Sequence, residues 1–85
     1  MDTPQKNVSK EFDEKKFREN LLQNYPTLIP SQVDLLVVIR QVKLAWKAGE
    51  ILGISERTVE SRVYHIRKKM NMKTKDELWE LLSKL

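Results

Sequence analysis

Apolar residues recur at helical spacing along most of the chain, and the pattern predicts five helices and no strand. Phe12, Phe17, Leu21, Leu22 and Tyr25 mark the first helix, which Ser9 can cap. Pro26 ends it, because the residue before a proline is pushed out of the α region. Pro30 suits the first turn of a second helix, where its missing N–H costs nothing. The run Val33, Leu35, Leu36, Val37, Val38 and Ile39 is too continuous for one amphipathic face, so this helix is expected to be surrounded by the others. The same run fits a buried strand, but no partner strand accompanies it. Residues 44–52 form a short third helix, followed by Gly53-Ile54-Ser55. Ser55 is a natural N-cap for a fourth helix from Glu56 to about Met70, in which Val59, Val63, Ile66 and Met70 form one apolar seam. Thr74 and Glu77 make a capping box that opens a last helix bearing Leu78, Trp79, Leu81, Leu82 and Leu85. The expected fold is therefore all-α, a small helical bundle. After a flexible lead-in at residues 1–8, one domain spans 9–85, with an N-terminal helix over 9–25 preceding a unit over 28–85.

A short helix, a glycine-containing turn and a capped helix together have the form of a helix-turn-helix. Its two helices cross closely, which requires a small residue in the first, and Gly49 is placed to supply it. The turn requires a residue tolerant of left-handed φ, and Gly53 stands there between Leu52 and Ile54. The second helix requires an early inward β-branched anchor, and Val59 provides one.

Charge changes this picture from a generic bundle to one with a directed surface. The 85 residues carry a net charge of +4. Residues 55–70 hold Arg57, Arg62, Arg67, Lys68 and Lys69 against Glu56 and Glu60, a net of +3, so most of the excess lies on one element. That is the footprint of an element facing a polyanion, although cations in a last turn also complement the helix macrodipole. Enzymatic chemistry finds little support. Cysteine is absent and His65 is the only histidine, so thiolate sites are excluded and a metal cage lacks ligands. There is no Gly-rich phosphate loop, and no cofactor or small-molecule ligand is expected. No apolar run approaches the length of a membrane span, and no secretory leader is recognisable, so a cytoplasmic protein is expected.

Leu52-Gly53-Ile54-Ser55-x-Arg57-Thr58-Val59-Glu60, then Ile66-Arg67-Lys68-Lys69-Met70, then Glu77-Leu78, resembles the DNA-binding domain of LuxR-type transcription regulators. The resemblance covers roughly residues 28–82 and includes Pro30. It implies a bacterial, nucleoid-associated regulator that reads double-stranded DNA with its third core helix in the major groove. By position in the family motif, Glu60, Ser61 and Tyr64 would meet base edges, where a glutamate can accept from cytosine N4. Ser55, Arg57, Thr58, Arg67, Lys68 and Lys69 would contact phosphates, the first three beside exposed helix N–H groups. The resemblance further implies a homodimer through the last helix, with Leu78, Trp79 and Leu82 as its seam.

Several positions depart from that family's pattern. Ile29 stands where a capping threonine is usual, Val42 where a glycine breaks the chain, and Leu44-x-x-Lys47 where a Ser-x-x-Glu box is usual. Ala48-Gly49 replaces an Ile-Ala pair. With that punctuation missing, residues 31–52 could run either as two helices or as one long helix favouring a swapped dimer. Two alternatives accompany the main reading. One is an interaction module that kept the fold but lost DNA binding. The other is a reader resembling sigma-factor region 4, which adds RNA polymerase to the candidate partners; the capped final helix favours the LuxR type.

Overall fold

The computed structural model describes residues 13–85, which form five helices: α1 (Glu14–Asn24), α2 (Pro30–Val42), α3 (Ala45–Leu52), α4 (Glu56–Lys69) and α5 (Lys75–Lys84). No strand occurs among the described residues. The expected first helix is shorter at its start than the 9–25 reading. Asp13 is extended, and its carboxylate accepts from the Lys16 N–H, so the cap is Asp13, while Ser9 lies outside the described residues. Aspartate competes with the helix interior by bonding forward to backbone N–H groups, which makes it a natural start signal.

α2 is the central element, as its unbroken apolar run requires. It approaches all four other helices and buries Val33, Leu35, Leu36, Val37 and Ile39. From α1, Phe17 and Leu21 enter the same core, which Leu28, Ala48, Val59, Val63, Ile66, Met70, Leu78 and Leu82 complete. No polar or charged residue is buried within it. Arg18 adds a surface tie, bonding Glu14 and reaching Asp34 on α2 at 2.8 Å. Its hydrogen bonds to Glu14 and then to Asp34 raise its pKa above the usual guanidinium value.

Residues 31–52 form two helices, not one. Lys43 ends α2 in the left-handed region at φ 61°, and Leu44 is extended before α3. The break sits one residue beyond Val42, where no glycine stands. A lysine in that conformation costs roughly 1 kcal/mol. The Trp79 indole N–H, donating to the Lys43 carbonyl at 3.1 Å, holds the turned backbone against α5. Gly53 ends α3 at φ 74°, the left-handed residue anticipated there. A Cβ on Gly49 would lie 2.6 Å from the Ile54 carbonyl oxygen, so only glycine permits this approach between α3 and the turn.

Candidate nucleic-acid interface

The candidate interface is built on α4 and its cap. Ser55 is extended, and its Oγ accepts from the Thr58 N–H at 3.1 Å while donating to Thr58 Oγ1 at 2.9 Å. This fixes the first turn and holds both hydroxyls together at the helix N-terminus. Val59, Val63, Ile66 and Met70 are all buried. Anchoring that seam leaves the opposite side of the helix in solvent, with Arg57, Glu60, Ser61, Arg62, Tyr64, His65 and Lys68 exposed. Glu60, Ser61 and Tyr64 thus share the outward side with Arg57 and Lys68.

Tyr64 organises the middle of that surface. The residue is 46% exposed, too open for a core aromatic, and its ring lies edge-on to His65 with centroids 5.5 Å apart. The Lys68 ammonium sits 5.2 Å and the Arg67 guanidinium 5.8 Å from the ring centroid. Both are within the range of cation–π attraction, which limits where those cations can swing. None of Arg57, Arg62, Arg67, Lys68 or Lys69 pairs with a carboxylate among the described residues. The ion pairs found there are Glu14–Arg18, Asp34–Arg18 and Glu80–Lys84, all on other helices.

Two of the expected phosphate-binding cations are engaged within the chain. Arg67 is only partly exposed and donates from Nη1 to the Lys73 carbonyl, bracing the α4–α5 loop. Lys69 turns toward the start of α2, donating to the Thr27 carbonyl and to Gln32 Oε1, each at 2.9 Å. The same Gln32 oxygen accepts from the Ile29 N–H at 3.1 Å, and the isoleucine side chain at this cap position offers no acceptor. Sequence reasoning missed Thr27 and Gln32 because they lie 42 and 37 residues from Lys69, beyond any local periodicity. The one local signal is a glutamine at the third position of a helix whose cap lacks an oxygen.

The residues expected at a dimer seam are largely covered within the chain itself. Leu78 and Leu82 are 0% and 1% exposed, spent in the chain's own core, and Trp79 is half-buried with its N–H committed to Lys43. An 85-residue domain with a central helix needs both leucines to cover α2. The outward side of α5 is polar, with Asp76, Glu77, Glu80, Ser83 and Lys84. Its capping box forms as anticipated: Glu77 N–H donates to Thr74 Oγ1 at 3.1 Å, and Glu77 Oε1 accepts from the Thr74 N–H at 3.4 Å and also from the Lys73 N–H at 2.8 Å.

No group of metal-ligating side chains occurs among the described residues, and no helix there is long and apolar enough to cross a membrane. No curated protein and no solved structure matches the chain. A family model does match, described as bacterial regulatory proteins, luxR family, over residues 32–82. That stretch holds nearly all of α2, the α3–turn–α4 unit and most of α5. The chain therefore belongs to the luxR family of bacterial regulatory proteins, whose helix-turn-helix is a DNA-binding regulatory domain.

Proposed function

We propose that the protein is a sequence-specific transcription regulator that lays α4 in the major groove of double-stranded DNA. The observation that carries this reading is the exposed side of α4, where cations without carboxylate partners surround Glu60, Ser61 and Tyr64. A merely solvated helix gains from pairing its charges along i,i+4, whereas a surface that meets phosphates keeps them unpaired. Arg57 and Lys68 supply charge to the DNA backbone. Ser55 and Thr58 add the helix N-terminus, with the Thr58 hydroxyl proton available once its oxygen accepts from Ser55. Glu60, Ser61 and Tyr64 face base edges, Glu60 accepting from a cytosine amino group. The protein works in the bacterial cytoplasm. A homodimer through the last helix would rest on half-buried Trp79, Leu81 and Leu85, since Leu78 and Leu82 are interior.

Two classes of substitution test the docking face. Arg57→Glu and Lys68→Glu should weaken binding to every duplex to a similar degree. Glu60→Ala should leave average affinity nearly intact and change the preferred base at one position by about 1–3 kcal/mol of discrimination. Competition binding against a randomised duplex pool reads both effects. Wild-type behaviour in all three variants would show that α4 does not face the DNA.

A further inference from the structure

We infer that Lys69 is a positioning residue, whose ammonium latches the end of the recognition helix to the α1–α2 linker and steadies the Gln32 side chain that closes the start of α2. Lys69 is the last residue of α4, between the buried Ile66 and Met70. Its Nζ spans two acceptors on the far side of the fold, the Thr27 carbonyl in the linker and Gln32 Oε1 in the first turn of α2. Gln32 is held in turn by the Ile29 N–H. One amine thus joins three segments: the C-terminal turn of α4, the linker that follows α1, and the start of α2.

The chemistry explains why such a latch belongs here. The Ile29 side chain cannot accept a hydrogen bond; its carbonyl takes the Gln32 and Val33 N–H groups, and closing the start of the helix falls to the Gln32 side chain, which folds back onto the Ile29 N–H. A glutamine side chain is a floppy substitute, with three rotatable bonds to restrain. A second donor on the same oxygen restrains it, and an ammonium is a strong donor to a carbonyl. On α4, the apolar seam is non-directional and tolerates small rotations of the helix about its axis. Two directed hydrogen bonds at its last residue remove that freedom and set the angle at which Ser61, Tyr64 and Lys68 are presented. An ammonium has three donors, and two are already spent within the chain. Only one N–H is left over for a phosphate, in a direction that the junction fixes.

The functional half of this inference rests on the DNA-binding reading, while the latch itself rests on the fold. Wild type, Lys69→Met, Gln32→Met and the double variant are compared by thermal melting and by anisotropy on a mixed-sequence duplex across a salt series. Methionine keeps an apolar stem of similar length in both cases. Each single variant should lower Tm by about 4 °C. Each should also weaken DNA binding about threefold at every salt concentration, and the double variant should be no worse than Lys69→Met alone. The salt slope of Lys69→Met should equal that of wild type. A slope smaller by about 0.9 with Gln32→Met behaving as wild type would make Lys69 a phosphate contact and overturn the proposal. Unchanged affinity in both single variants would overturn the positioning role. If wild type binds no DNA, the DNA-binding reading fails by itself. The melting cycle then decides the latch, and additive losses in Tm would overturn it.

Discussion

Lys43 shows how a single residue can carry a boundary that its side chain does not favour. The α2–α3 break needs one residue in the left-handed region, and this chain places a lysine there at φ 61°. The indole of Trp79 compensates by binding the carbonyl that the turn exposes. Lys43→Gly should therefore relieve strain and raise stability by about 0.5–1 kcal/mol, even after the greater freedom glycine gives the unfolded chain. Urea titration checks this, and a loss of stability would show that the lysine stem contributes packing that outweighs the strain. Asn71, at φ 59°, occupies the equivalent conformation after α4, and there the residue type suits it.

The pairing of α3 with α4 depends on an approach that only one residue permits. A methyl group on Gly49 would meet the Ile54 carbonyl, which is backbone and cannot swing aside. Gly49→Ala should cost about 1–3 kcal/mol in overpacking, partly offset by about 1 kcal/mol of better helix propensity. It should also lower DNA affinity, because the displaced turn carries Ser55 and the first turn of α4. Melting and anisotropy on the same variant check both effects, and unchanged affinity with lower Tm would show that the turn relaxes without moving α4.

This element also shows what sequence alone makes legible. Caps and glycines declare themselves locally, so the Ser55 start, the Gly53 turn, the Thr74–Glu77 box and the α4 seam were all readable from spacing of a few residues. The Lys43 break was not, since nothing in a lysine signals positive φ and its support comes from Trp79, 36 residues away. That Leu78 and Leu82 are interior was not readable either, because periodicity gives the direction of an apolar face but not which neighbour covers it. Lys69 looked free for the same reason: its partners lie in a linker and a distant helix.

At the scale of the whole molecule, the fold separates two tasks. α2 is the post on which every other helix packs, and α1 and α5 cover it from outside the α3–α4 unit. That arrangement frees one side of α4 from any structural duty, and the helix carries a net +3 of the chain's +4. Belonging to the luxR family makes a regulatory helix-turn-helix of this unit, and the charge distribution supports the docking side proposed for it.

The most direct test of that account is binding to a labelled mixed-sequence duplex, read by anisotropy across a salt series. Roughly four to six phosphate contacts should give a log–log slope of affinity against salt near −4 to −5, with measurable binding at low salt. Negligible binding even at low salt would contradict the account and leave the helix-turn-helix as a module for binding other proteins.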